Sequence, residues 1–174
     1  VFVSYTSKKA KGVVTNMMGQ QQFVTFWIDQ YLFGVNILDV REINAHTDAT
    51  PIPLAQEYIR GLINLRGQIF TLLDLRFLLG LGHLSVTEET QNIILKTGVE
   101  HSTSGDNASD RVGFMVDKIG DIITVDEEEL EAPPANTGDI DGYFLSQVIK
   151  LPTGVASIVN INHILSIKEE AVAA

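Results

Sequence analysis

Catalysis and metal binding need convergent reactive groups, and in this chain the candidates are thinly spread. The four histidines stand at positions 46, 83, 101 and 163, without the HExxH pattern or any comparable metal-ligand spacing. No serine sits in a nucleophile elbow, and Gly61, Gly67, Gly80 and Gly82 build neither a P-loop nor a dinucleotide-binding turn. The carboxylates from Asp126 to Glu131 are dense enough to suggest calcium. They lack the alternating oxygen spacing and central glycine of an EF-hand loop, so a solvated acidic face is the simpler reading. Cysteine is absent, which removes disulfides, thiolate zinc sites and thiol catalysis. These residues predict a protein that is not an enzyme, with no cofactor and no metal.

One residue stands out for recognition chemistry. Arg66, beside Gly67, falls at the tip of a tight turn, where its guanidinium has two available roles. It either pairs with a nearby carboxylate and pins the turn, or offers its planar donor fork to a partner. Glu42 carries the same ambiguity. Asp74 reads as a helix cap. Trp27 lies on the strand face opposite Phe26, either partly exposed or as a core aromatic.

The chain has 174 residues, 45% hydrophobic and 20% charged, with a formal net charge of −10. That is enough chain to bury a core without staples. The negative charge argues against binding nucleic acid or an anionic membrane surface. The longest apolar runs, such as Ile69 to Leu73, are far too short to span a bilayer, so no direct membrane insertion is expected. Lys8, Lys9 and Lys11 stand in an opening segment without a continuous apolar core or a small-residue cleavage site, so no signal peptide is expected in it. The expected location is cytoplasmic, with residues 1–22 a flexible lead-in and 166–174 a tail.

The ordered part, 23–165, reads as many short strands. Phe23 to Ile28 and Tyr31 to Val35 form a hairpin across Asp29-Gln30. Asn36 then caps a predicted short helix, with Ile37, Val40 and Ile43 on one face. Asp48 to Pro53 is extended or irregular. Strands Leu62 to Leu65 and Gln68 to Leu73 meet at Arg66-Gly67, where glycine supplies a positive φ. Asp74 caps a helical turn ending at Gly80, and Gln91 to Lys96 is a strand. Gly98 to Asp110 reads as a mobile loop. Strands Arg111 to Val116 and Ile119 to Val125 flank a turn at Lys118. Ala132 to Gly142 is a loop, and Leu145 to Leu151 with Val155 to Val159 make the last hairpin. Asn160 or Asn162 caps a final turn through Leu165. No internal repeat is evident, and the pattern predicts a closed or nearly closed β architecture.

The run Gly61-Leu-Ile-Asn64-Leu-Arg66-Gly67, then Ile69, Leu72-Leu73-Asp74-Leu75-Arg76 and Leu79-Gly80-Leu81, closely resembles the signature of the CheW family. So do Phe33-Gly34-Val35 with Ile37-Leu38-Asp39-Val40-Arg41-Glu42-Ile43, and Val112-Gly113-Phe114-Met115-Val116-Asp117. The resemblance implies two small five-stranded barrels, similar to Src-homology-3 barrels, intertwined around a shared apolar core. It implies a scaffold of bacterial chemotaxis that joins transmembrane chemoreceptors to the histidine kinase CheA. One barrel would pair with the regulatory domain of CheA, and a groove near the barrel junction would take the helical hairpin tip of a receptor. Carried onto this chain, the partner-binding residues are Ile37, Val40, Glu42 and Arg66, with Gly61, Asn64 and Gly67 shaping the hairpin. The alternative keeps the fold as the CheW-like domain of a CheV-type protein, or as an adaptor in a non-chemotaxis pathway. Two departures stand out: Thr71, where the family usually has proline, is expected to loosen a strand edge, and the Gly98–Asp110 loop is long.

Overall fold

The computed structural model describes residues 5–6, 19–45, 48–96 and 111–173. The long loop expected over Gly98–Asp110 lies outside them, as does most of the lead-in. The strands are β1 (Tyr5–Thr6), β2 (Gln20–Ile28), β3 (Tyr31–Asn36), β4 (Val40–Asn44), β5 (Ile59–Leu65) and β6 (Gln68–Asp74). After helix α1 (Leu75–Leu78) come β7 (Gln91–Leu95), β8 (Val112–Val116), β9 (Lys118–Asp126) and β10 (Leu130–Glu131). The chain closes with β11 (Leu145–Leu151), β12 (Gly154–Val159) and helix α2 (Ile161–Ala173).

Two sheets result, ordered β1-β9-β2-β3-β12-β11-β10 and β4-β7-β8-β6-β5. The two are built to one plan. In the second, the β5–β6 hairpin ends in an Asx cap, Asp74, and a helix, and β6 runs parallel to β8 of the β7–β8 hairpin. In the first, the β11–β12 hairpin leads through Asn160 into α2, and β12 runs parallel to β3 of the β2–β3 hairpin. Strand β4 flanks β7 as β9 flanks β2. The first module is entered midway, so the chain builds β2–β3, inserts the whole second module, and returns at β9. A reading of the sequence misses this repeat because it is one of topology and is permuted in chain order.

Each sheet has one face toward a core of its own and one toward a core shared by both. The shared core holds Phe26, Phe33, Leu73, Leu75, Phe114, Val116, Phe144, Val159 and Ile164, drawn from both modules. Phe23, Ile123, Ile149 and Ile158 fill the first module, and Ile63, Phe70, Leu72 and Met115 the second. The architecture is mainly β, with Src-homology-3-like modules that curl without closing their strand ladders.

Four local expectations change. The helix predicted after Asn36 is a single 3-10 turn, Ile37–Asp39, and Val40–Asn44 is a strand paired with β7. β-branched Val40 and Ile43 gain more from that pleated pairing than from a short isolated helix. Lys118 lies inside β9, and the link from β8 is Asp117, where the chain crosses between sheets instead of forming a hairpin. The final helix runs to Ala173, well past Leu165, because the Lys-Glu-Glu-Ala sequence continues it with good helix formers. Thr71 tightens its strand: its N–H donates to the Arg111 carbonyl at 2.9 Å, a bond proline could not make.

Candidate functional site

The β5–β6 turn is built from two left-handed residues, Arg66 (φ 52°) and Gly67 (φ 83°), the pattern of a type I′ hairpin. Asn64 completes it, its Oδ1 accepting from the Gly67 N–H at 2.9 Å. This geometry holds the Arg66 side chain out in solvent, 85% exposed, with its guanidinium 3.2 Å from Glu42 Oε2. Glu42 belongs to β4, at the opposite edge of the same sheet. The two edge strands are therefore tied by side chains.

A bulge in β4 makes that tie possible. The register against β7 shifts between Val40 and Glu42, so Arg41 is the extra residue. Consecutive strand residues ordinarily point to opposite faces. Here both Arg41 and Glu42 reach the β5–β6 hairpin, Arg41 placing its guanidinium 5.3 Å from the centre of the Phe70 ring. Two contacts thus run from β4 to the β5–β6 hairpin and leave a surface of mixed charge, while the partly exposed Ile43 and Ile69, next to Glu42 and Phe70 in their strands, point to the other face.

The other residues picked from sequence fall elsewhere. Ile37 and Val40 are half-buried and pack against the shared core. The apolar residue that the 3-10 turn presents to solvent is Leu38, 73% exposed, which helical spacing assigned to no face of interest. Gly61 lies at the far end of β5, where Thr50 and Leu62 exchange two hydrogen bonds of 2.8 Å. Asp74 is wholly buried, and its carboxylate accepts from Phe77 N–H and Leu84 N–H, both at 3.0 Å, with Arg60 at 3.6 Å. His83 stacks on Phe77 beside it, and His163 stacks on Tyr143. His46 and His101 lie outside the described residues, among which no three His, Asp or Glu side chains converge as metal ligands. The acidic stretch forms a 3-10 turn, Glu127–Glu129, with Glu129 accepting from the Asp126 N–H. No helix among the described residues is long and apolar enough to cross a membrane.

Fold and site together define a class: a mainly β domain of two like modules on one core, whose most distinctive surface is a charged hairpin tip. Residues 22–169 match the model of the CheW-like domain, and the chain belongs to that family. It is 30% identical over 152 residues to the chemotaxis protein CheW of Treponema pallidum, covering 86% of this chain and 85% of that one. With the CheW of Bacillus subtilis the identity is 28%, over 83% of this chain and 86% of the relative. The crystal structure of the scaffolding protein TtCheW from Thermoanaerobacter tengcongensis superposes with a TM-score of 0.69 at 29% identity. That match covers 82% of this chain and 90% of the other.

Proposed function

We propose that this protein is a non-enzymatic, cytoplasmic scaffold that couples transmembrane chemoreceptors to the histidine kinase CheA within a receptor array. The observation that carries the reading is the Arg66–Glu42 bridge: an exposed planar cation held by a preformed turn, with its counter-ion at the opposite strand edge. An isolated exposed pair contributes little to folding, about 0–1 kcal/mol. A rigid, half-satisfied charge instead suits the polar rim of a protein interface. In this reading the hairpin tip meets one partner, the CheA regulatory domain or the receptor. In the same reading a groove at the module junction takes the helical tip of a receptor, as in the family the chain belongs to.

The test is co-precipitation with a CheA regulatory domain and with a receptor cytoplasmic fragment from one organism, using the wild type, Arg66→Glu, Glu42→Arg and the double swap. Each single reversal is expected to weaken at least one partner, and the double swap to recover part of the loss. Val40→Ala is a poorer probe, because Val40 also packs against the shared core. A folded wild type that binds neither partner sinks the proposal.

A further inference from the structure

Trp27, the single tryptophan of the chain, has no part in the hairpin-tip surface and is 38% exposed. Its strand β2 is flanked by β3 and β9, with Trp27 opposite Leu32 on one side and Lys118 on the other. The indole lines two clefts of different character. One, of about 320 Å³, has no charged residue in its wall: Leu32 and Val155 are apolar, Tyr31 adds an aromatic ring, and Gln30 and Ser157 are polar. The other, of about 530 Å³, is charged, with Asp29, Arg76, Glu89, Asp117 and Lys118 around it. Arg76 pairs with Asp117 at 3.3 Å and Lys118 with Glu89 at 2.7 Å. Those four charges cancel, leaving Asp29, which takes part in no ion pair among the described residues, as the surplus. Asp29 stands in the β2–β3 turn at φ 55° with its side chain exposed.

We propose that these two clefts form a docking site for an extended, proline-containing and positively charged segment of a partner protein, with Trp27 as its anchor. Main-chain β-addition is not available here, because β2, β3 and β12 are each paired on both sides. Recognition has to go through side chains, which suits a polyproline-type segment whose own backbone makes no internal hydrogen bonds. Its rings stack on Trp27 and Tyr31, and its free carbonyls accept from Gln30 and Ser157. Residues i and i+3 of such a segment share a face about 9 Å apart, so an apolar residue and a cation can straddle the indole. The cation meets Asp29, and the chain's net charge of −10 favours its approach. The anchor Trp27 and the surplus Asp29 belong to the first module, while Arg76 and Glu89 bring the second module to the wall of the charged cleft; none of the lining residues belongs to the Arg66 tip.

Because Trp27 is the only indole, its emission reads the site directly. A short synthetic peptide of pattern Pro-x-x-Pro-x-Arg, titrated into the whole protein, is expected to give a saturable blue shift. A peptide with glutamate in place of the arginine should bind much more weakly. By calorimetry, Trp27→Ala should weaken the arginine peptide about tenfold or more, as an interface anchor does. Asp29→Asn, which keeps a residue that tolerates the left-handed turn, should weaken it about threefold, the scale of an exposed charge pair. Should Trp27→Ala fold poorly, Trp27→Phe and Asp29→Asn carry the test. No saturable shift at millimolar peptide, equal binding of the glutamate peptide, or full binding by folded Trp27 and Asp29 variants each overturns the proposal.

Discussion

At Gly61 the backbone takes φ +140° and passes so near Thr50 that a Cβ would lie 2.3 Å from its carbonyl oxygen. Gly67 also has a positive φ, yet nothing lies within 4 Å of the position its Cβ would take. Both glycines stand in the same hairpin, but they are needed for different reasons. For Gly67→Ala only the left-handed strain counts, about 1 kcal/mol. Gly61→Ala adds a clash with backbone that cannot move without breaking the Thr50–Leu62 hydrogen bonds, and should cost about 2–4 kcal/mol. Thermal melting should therefore fall by roughly 5–15 °C for Gly61→Ala and clearly less for Gly67→Ala. Equal losses would mean that the close approach to Thr50 is not rigid. The need for glycine at the tip was legible in sequence as a tight turn. That for Gly61 was not, since its steric neighbour arrives from a separate segment.

Hairpins and caps are the elements that sequence reads best here, because both are specified within a few residues. Asp74 shows where such reading stops. Its capping of α1 follows from its place before Leu75, but its second oxygen also accepts from Leu84 N–H and faces Arg60, joining β5, β6, α1 and the following loop. Asn160 is the same cap at the equivalent place in the first module, holding only the start of α2. Asp74→Ala removes a buried charge and strands its donors, with an expected loss of about 3–5 kcal/mol in urea unfolding. Asn160→Ala should lose only about 1 kcal/mol. Comparable losses would show Asp74 to be a cap and nothing more. The segment after Asn36 was misread as a helix because three apolar residues at helical spacing also fit a bulged strand. The deciding partner, β7, lies some fifty residues away. The Arg66–Glu42 pair was half legible for the same reason: each residue was singled out, and only folding brings the two strand edges together.

Over the whole molecule, chain order and packing argue against two independent domains. The second module is inserted between β3 and β9, so the first cannot assemble until the chain has passed through the second. The shared core is also the largest of the three clusters, and Phe26 joins its halves: its ring centre lies 5.9 Å from Phe33 and 5.7 Å from Phe114 of the other module. Helix α2 adds a further link, with Ile164 in the shared core and the Ile167 carbonyl accepting from Tyr58 of the second module. Truncating Phe26 removes contacts from both sheets at once. Phe26→Ala should lose about 3–5 kcal/mol and still unfold in a single transition. In hydrogen exchange, the amides of Phe70 in the second module and Ile149 in the first should lose protection together. Ile123→Ala acts within the first module's own cluster, and in a single cooperative unit it should still lower protection at Phe70 as much as at Ile149. If Phe26→Ala instead split the unfolding into two steps, the modules would be separable units. A scaffold made of separable units would hold its partner surfaces at no fixed angle. One cooperative core, in contrast, lets a force on the hairpin tip of the second module reach the outer strands of the first.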